Sequence, residues 1–372
     1  MKRIMMCGYY GYDNCGDEAI LKTILQTLRT NRSDLHVTVL SGNPEKTKAQ
    51  YSIEAIHRYD LKNVIKELRK ADLLLFGGGA LLQDITSSRS LYYYLSILSL
   101  AKNYKVKTMV YANGLGPICS SLHQRMTRQV LDKVDVITLR DQGSVDFLKK
   151  IGVRKPPITL TADPVFCFPE SDLTLENKLL KEAGLSEEES YAAVTIRNWK
   201  LADAQLADKT AFLCRTIYRQ YGWKVLFLPM QYEEDLSISK AVMEKMGAGG
   251  YLIERSLGTE EISALIKSGK LMIGMRLHGL IFAARHGVPS LALSYDPKVT
   301  NFMAMIHSPY VIDAEQMKEE NLAEMLTSLM DQYDLVKEKL KRSRDKFKAS
   351  ALDNTKMLLE LLDHTPPDGK TE

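Results

Sequence analysis

Apolar runs of about four to six residues alternate with longer stretches of helical period along most of the chain, the signature of parallel βα repeats. In the first half, Ile4 to Gly8, Val37 to Leu40, Leu73 to Phe76, Lys107 to Tyr111, Val136 to Leu139 and Ile158 to Thr161 read as strands. An amphipathic helix follows the first strand and runs to about Thr30. The rhythm breaks between Phe168 and Ser190, where Pro169 and an acidic run at Glu187 to Glu189 read as a linker. It resumes with strands at Ala192 to Ile196, Lys224 to Leu228, Tyr251 to Ile253, Leu271 to Met275 and Ser290 to Ser294. Helices are expected at Leu206 to Tyr221, from about Glu233, at Thr259 to Ser268 and at Gly279 to His286, with Met317 to Leu329 and Leu335 to Leu362 helical beyond. The pattern predicts an α/β protein of two parallel-sheet domains, residues 1–168 and 169–335, then a C-terminal helix over 336–365 and a disordered tail over 366–372.

A chain of 372 residues exceeds the usual size of one core, which agrees with two domains. A formal net charge of +4 is too small to argue for nucleic acid. Cys7, Cys15, Cys119, Cys167 and Cys214 are scattered without a CxxC pair, and the apolar run in MKRIMMCGYYG is too short for a secretory signal, so a reduced cytoplasmic compartment is expected. No stretch reaches the roughly 18 apolar residues of a membrane span, the nearest being the Tyr-rich Leu91 to Ala101. No His, Cys and carboxylate cluster has metal-ligand spacing, so neither a metal nor another cofactor is implied.

Candidate chemistry concentrates from Ser268 to Thr300, where strand, turn, helix and strand follow one another. Arg276 and His278 fall at the first strand end, and Asp296 with Lys298 at the next. In open parallel sheets ligands sit outside the carboxyl ends of strands, where helix N-termini favour anions. Two cations and an imidazole there suit a small, multiply charged anion such as a phosphorylated carboxylate, and the His exchanges protons near neutral pH. The competing account is an Arg paired with a structural carboxylate and a His capping a helix. Arg140 and Arg197 end two further strands. In the first half, Tyr9 to Glu18 is a glycine-punctuated strand-to-helix loop in which Asn14 and Asp17 are caps or ligands for sugar hydroxyls. Gly77, Gly78 and Gly79 offer bare backbone with Gln83 and Asp84 beyond, or else form a tight turn for helix packing. Lys337, Lys339, Lys341, Arg342, Arg344, Lys346 and Lys348 make a basic helix face, either solvated or loosely attached to an anionic membrane surface.

The segments GYYGYDNCGDEA, FGGGALLQD, YANGLGP, LRDQGS, DPVF, TIRNW, GMRLHG and YDPKV, in this order from about Ile4 to Phe302, resemble the polysaccharide pyruvyl transferase family, closest to its CsaB type. The resemblance implies two Rossmann-like domains facing across a cleft, GT-B-like, with C-terminal helices outside it. It implies transfer of pyruvate from phosphoenolpyruvate to a sugar as a ketal. In the CsaB type the acceptor is the N-acetylmannosamine of a lipid-linked secondary cell wall polymer precursor, and the pyruvylated polymer anchors surface-layer proteins bearing SLH domains. The acceptor side falls on the first domain and the phosphoenolpyruvate side on the second. Carried onto this chain, phosphoenolpyruvate binding implicates Arg197, Arg276 and Leu277 with His278 beside them, and the Arg140 and Lys298 motifs match as well. The acceptor, lipid-linked or nucleotide-linked, is expected at Asn14, Gly78, Gly79, Gln83 and Asn113. A cytoplasmic protein would meet a lipid-linked acceptor by peripheral contact at the inner membrane face.

The chemistry agrees with the residues. The enol ether carbon becomes electrophilic only when its methylene is protonated, so an acid must sit within hydrogen-bond reach, and His278 is the best available. Arg276, Arg197 and Lys298 suit carboxylate and phosphate. Two sugar hydroxyls attack in turn and each loses a proton, to Asp17 or Asp84. The competing reading is a GT-B glycosyltransferase with a nucleotide-sugar donor, against which no Glu lies between Glu261 and Glu315 to hold a donor ribose.

Overall fold

The computed structural model describes residues 1–85, 87–199 and 203–364; the expected tail over 366–372 lies outside them. The first half runs β1 (Lys2–Tyr10), α1 (Cys15–Asn31), β2 (Leu35–Ser41), α2 (Pro44–Tyr51), β3 (Glu54–His57), α3 (Leu61–Leu68), β4 (Leu73–Gly77), α4 (Ser88–Asn103), β5 (Lys107–Asn113), α5 (Ser121–Leu131), β6 (Val136–Leu139), α6 (Gln142–Ile151) and β7 (Ile158–Leu160). The second half runs α7 (Leu173–Ala183), β8 (Tyr191–Thr195), α8 (Asp203–Tyr221), β9 (Lys224–Phe227), α9 (Tyr232–Met246), β10 (Gly250–Leu252), α10 (Thr259–Ser268), β11 (Leu271–Gly274), α11 (Leu277–His286), β12 (Ser290–Ser294), α12 (Pro297–Met305), β13 (Val311–Asp313), α13 (Glu319–Asp331) and α14 (Tyr333–Asp363).

The strands form two all-parallel sheets, one of seven strands in the order β3-β2-β1-β4-β5-β6-β7 and one of six in the order β10-β9-β8-β11-β12-β13. Parallel sheets are covered on both faces, so their central strands are apolar throughout. β4 and β8 are buried at every residue. Strand order reverses between β1 and β4 in the first sheet and between β8 and β11 in the second. These are the switch points at which ligands bind outside the strand ends of open α/β sheets. Leu74, Phe76, Tyr94 and Ile137 belong to the first core, Val194, Phe227, Ile273 and Leu326 to the second. Each such side chain contributes about 1.5–3 kcal/mol on burial.

Contacts divide the chain into two units, one of Met1–Tyr12, Asp17–Phe168 and the chain from Phe347, the other of Asp13–Gly16 and Pro169–Lys346. The C-terminal helix is therefore not a piece of its own. α14 begins at Tyr333, and its last turns belong to the first unit, where Asn354 Oδ1 accepts from Thr161 Oγ1 at 2.8 Å and Thr355 bonds Tyr111 at 2.8 Å. The expected linker from Phe168 to Ser190 instead contains α7, capped by Asp172 and by Gly184 in the left-handed region. Leu179, Leu180 and Glu176 of α7 are buried, and Glu176 accepts from Lys267 Nζ at 2.7 Å. β3, with the burial pattern of a half-exposed edge, and the three-residue β13 have too few apolar positions to stand out in the sequence. Among the described residues no helix is long and apolar enough to cross a membrane.

Candidate functional site

At the switch point of the second sheet, β8 delivers Arg197 just past its end and β11 delivers Arg276 at the N-cap of α11. Arg276 is 9% exposed and commits two nitrogens to the fully buried carboxylate of Asp235 in α9. Its Nε donates to Asp235 Oδ2 at 3.0 Å and its Nη2 to Oδ1, while Oδ2 also accepts from the backbone N–H groups of Met230 and Gln231 at 3.1 Å each. The competing account, an Arg paired with a structural carboxylate, therefore describes most of the Arg276 guanidinium, and only Nη1 is outside these bonds. Leu277, 6% exposed, starts α11 from within the core.

Arg197 is half-buried and donates from Nη1 to the Tyr295 hydroxyl at 3.2 Å, with its guanidinium 5.2 Å from the Tyr295 ring centre. Its Nη2 lies 4.0 Å from Glu234 Oε2, which Arg276 Nη2 approaches to 3.5 Å. Lys298, in the first turn of α12, holds its Nζ 5.5 Å from the Tyr295 ring and 3.3 Å from Asp296 Oδ2. Burial pushes the Tyr295 phenol up, but Lys298, then Arg197, then Arg276 pull it below its ordinary value. Three cations from the ends of β8, β11 and β12 thus converge on one phenol. The sequence reading quoted Tyr295 inside YDPKV without giving it a role; an aromatic residue directly at a strand end, three before a basic one, was the available signal.

His278 is half-buried in the first turn of α11. Gly16 presses against it so closely that a Cβ there would lie 2.0 Å from Nδ1. This close approach, and not a turn, is what requires Gly16. Asn14, expected on the acceptor side, belongs with the same unit as His278 and donates to Gln231 Oε1 at 3.3 Å, beside a bond from Cys15 N to Met230 O at 3.0 Å.

In the first unit the expected residues have other duties. Arg140, 5% exposed, donates from Nη1 to Asp163 Oδ2 at 2.6 Å, and Asp163 caps the short turn of Pro164–Cys167. Its guanidinium serves a buried pair in this unit, not the cation cluster of the other. Asp84 does not reach out as a free carboxylate. Its Oδ1 accepts from Cys119 N at 2.8 Å and its Oδ2 from Ser120 N at 3.1 Å and bonds His123 Nδ1 at 2.8 Å. Burial works to raise this carboxyl, but those bonds outweigh it and hold it below its ordinary value, which makes Asp84 a poor base. Gln83 Oε1 accepts from Ile85 N at 2.9 Å. Asn113 is fully buried and donates to the carbonyls of Phe76 and Tyr111 at 3.2 and 3.3 Å, so it braces the sheet end. Gly78 and Gly79 have φ of +69° and +73°, and a Cβ on Gly78 would lie 2.2 Å from Ile20. That is the packing account for Gly78. Gly79 faces Asp17, whose Oδ1 is 2.8 Å from where a Cβ would be, and Asp17 is half-buried beside this bare backbone.

The chain was compared with known proteins. The family model described as polysaccharide pyruvyl transferase matches residues 14–297. Among curated proteins, the amylovoran biosynthesis protein AmsJ of Erwinia amylovora is 20% identical over an alignment covering 92% of this chain and 95% of the relative. Among solved structures, HepE of Anabaena in complex with UDP and glucose superposes with a TM-score of 0.63 at 12% identity, covering 97% of this chain and 99% of that one. MnaA of S. aureus with UDP gives 0.67 at 12% identity over 99% and 100%, and UDP-GlcNAc 2-epimerase of Neisseria meningitidis 0.65 at 13% over 97% and 100%. At these identities the likeness is one of fold: two parallel-sheet α/β domains of GT-B-like type with a helical C-terminus. The matched span contains the Arg197, Arg276 and His278 motifs and reaches the turn before Lys298, and by that match the chain belongs to the polysaccharide pyruvyl transferase family.

Proposed function

We propose that this pyruvyltransferase takes its pyruvyl group from phosphoenolpyruvate, bound by the second unit, and forms a ketal on the N-acetylmannosamine of a lipid-linked cell wall polymer precursor, as in the CsaB type. The observation that carries the reading is the convergence of Arg197, Arg276 and Lys298 on Tyr295, with His278 two residues after Arg276 in the first turn of α11. Phosphoenolpyruvate is a trianion at most, and three cations at a switch point match its carboxylate and phosphate. Arg197 and Lys298, both half-exposed, are the groups that contact it. Arg276 is a charge fixed in place by Asp235 that offers Nη1 alone.

His278 gives its proton to the methylene carbon. The carboxylate-bearing carbon then takes the first sugar oxygen, phosphate leaves with the C–O bonding pair, and the second sugar oxygen attacks the same carbon to close the ketal. Two hydroxyl protons are lost in forming the ketal; one equivalent ends on the methyl carbon and the other on phosphate. Asp17, beside Gly79, remains the carboxylate candidate for base, and Gly79 and Gln83 the acceptor-side candidates. The enzyme works in the cytoplasm with contact at the inner membrane face, and its product anchors surface-layer proteins with SLH domains.

A second reading is favoured by the UDP-bound proteins of similar fold: a nucleotide-sugar donor, or a nucleotide-linked acceptor. One experiment separates them. Purified protein is given phosphoenolpyruvate or a UDP-sugar with a panel of amino-sugar acceptors. Phosphate release that requires both phosphoenolpyruvate and N-acetylmannosamine is expected; UDP release from a UDP-sugar overturns the donor assignment.

A further inference from the structure

We propose that the Tyr295 hydroxyl is the acid that protonates phosphate as it leaves the pyruvyl carbon. The proposal rests on the reading that phosphoenolpyruvate binds the second unit, and it concerns that unit alone. A phosphate ester dianion that departs with the C–O bonding pair would leave as the trianion, a poor leaving group, so a proton has to reach its bridging oxygen as the bond breaks. His278 spends its proton on the methylene carbon, and the guanidinium groups of Arg197 and Arg276 do not give theirs up. A second acid is needed.

Tyr295 follows directly on β12, at the carboxyl end of the strand beside β11. Its oxygen accepts from Arg197 Nη1 at 3.2 Å, which turns the phenol hydrogen away from the guanidinium. Among the described residues no group accepts that hydrogen. Asp296, its neighbour in the chain, caps α12 instead: Oδ1 accepts from Lys298 N at 3.0 Å and Oδ2 lies 3.3 Å from Lys298 Nζ. Trp199 packs on the phenol ring at 4.6 Å between centres and holds its direction. A half-buried hydroxyl with its hydrogen unspent, beside the Arg197 and Lys298 cations that contact the donor, is placed to donate to the same anion.

The surroundings also stabilise the phenolate that the transfer leaves behind. Lys298 faces the phenol from α12, Arg197 from just past β8 and Arg276 from the N-cap of α11; Glu234 and Asp235 of α9 face the two arginines, and Asp296 faces Lys298. Burial pushes the phenol up, but Lys298, then Arg197, then Arg276 outweigh it, so Tyr295 ionises below its ordinary value and is a stronger acid than a free tyrosine. In the step itself the C–O bond breaks, its electron pair stays on the phosphate oxygen, and the Tyr295 proton joins that oxygen, so hydrogen phosphate leaves. The phenolate recovers a proton from water, which has received one from the acceptor hydroxyls.

The test compares wild type, Tyr295→Phe and protein carrying a ring-fluorinated tyrosine at position 295, following phosphate release from phosphoenolpyruvate across pH with the panel of amino-sugar acceptors. Tyr295→Phe is expected to lower kcat about 10²-fold, with the phosphoenolpyruvate dissociation constant, measured by calorimetry, changed far less. The alkaline limb of kcat falls below the range of an ordinary tyrosine, moves to lower pH on fluorination, which strengthens the phenol as an acid, and is absent from Tyr295→Phe. A hydroxyl that only holds Arg197 in place predicts a raised KM with kcat kept. That result, or an alkaline limb that fluorination does not move and Tyr295→Phe retains, overturns the proposal while the donor assignment stands. Wild type that releases no phosphate from phosphoenolpyruvate with any acceptor overturns the donor assignment, and the proposal with it.

Discussion

The two sheets present opposite solutions at the carboxyl ends of their strands. In the second, Arg197 and Lys298 gather around Tyr295 half-exposed, and their carboxylate neighbours, Glu234 at 4.0 Å and Asp296 at 3.3 Å, lie at the same open edge. In the first, Arg140 is spent on Asp163 and Asp84 on His123 and two backbone amides, so the charges are consumed internally and bare glycine and tyrosine remain. A half-exposed ion pair is weak and can exchange its partner for a ligand anion, whereas a buried pair mainly holds the fold. By that contrast the second unit holds cations that a ligand anion could reach, and the first holds its charges for the fold.

The contrast breaks most visibly at Arg140. Arg140→Ala leaves the Asp163 carboxylate buried, 2% exposed, without its cation, and should cost about 3–5 kcal/mol of stability. Urea unfolding checks this; an unchanged midpoint with a raised donor KM would return Arg140 to the donor site. Next comes His278→Ala, expected to lower turnover by about 10²-fold or more with donor binding largely kept. Gly16→Ala should do similar damage without touching the imidazole chemically, because its Cβ needs the space that Nδ1 fills. Arg197→Ala should raise the phosphoenolpyruvate KM by roughly tenfold or more, the loss of one charge-assisted bond at about 1.5–3 kcal/mol, and leave the unfolding midpoint nearly where it was. A KM that stays put while the acceptor KM rises would reverse the assignment of the two units.

α11 carries the same contrast on one helix. His278 at its start faces Gly16, while His286 at its end bonds Ser263 Oγ at 3.0 Å. Burial first, then Arg285, Lys267 and Arg344, hold the His286 imidazole down to about 2. The unfolded chain takes up this proton near the ordinary value of 6.5 and the folded chain does not, so stability is level above that pH and falls as pH drops below it. The slope is at most about 1.4 kcal/mol per pH unit. Comparing urea midpoints at neutral and mildly acid pH, His286→Gln should be flatter than wild type; an equal slope would assign the acid sensitivity elsewhere.

What the sequence reveals and conceals follows from how each residue is paired. β11, α11 and β12 are legible because buried apolar runs mark them, and with them the places of Arg276, His278 and Lys298. Asp235 is not legible. It sits with Glu233 and Glu234 in the first turn of α9, where acidic residues ordinarily face solvent and the helix dipole, and only the packing of α9 beside β11 shows it buried under Arg276. Asp84 misleads for a similar reason, since the amides that bind it lie 35 and 36 residues on. α7 was hidden by Pro169 and the acidic run, although Asp172 and Gly184 bracket it as caps.

The smallest expected effect concerns where the enzyme works. From Lys337 to Lys348, α14 carries seven basic residues less Glu338 and Asp345, a formal +5. Two exposed pairs, Lys341 with Glu338 at 3.4 Å and Arg344 with Asp345 at 3.3 Å, neutralise part of it at little energetic gain. Lys339, Arg342 and Lys346 are exposed outside those pairs, and their spacing of three and four puts them on one helix face. Each basic residue that reaches an anionic surface contributes about 1 kcal/mol, so three give a weak attachment that salt dissolves. A lipid-linked acceptor requires no more than that. The protein should sediment with anionic vesicles and not with zwitterionic ones, release in high salt, and lose binding when Lys339, Arg342 and Lys346 become Glu, with turnover on a soluble acceptor intact. These three positions are preferred because Lys341 packs on Gly287 and Arg344 acts on His286, so their replacement would disturb the fold as well. Equal partitioning to both vesicle types, or to neither, makes this face a solvated one and leaves the acceptor to come to the enzyme.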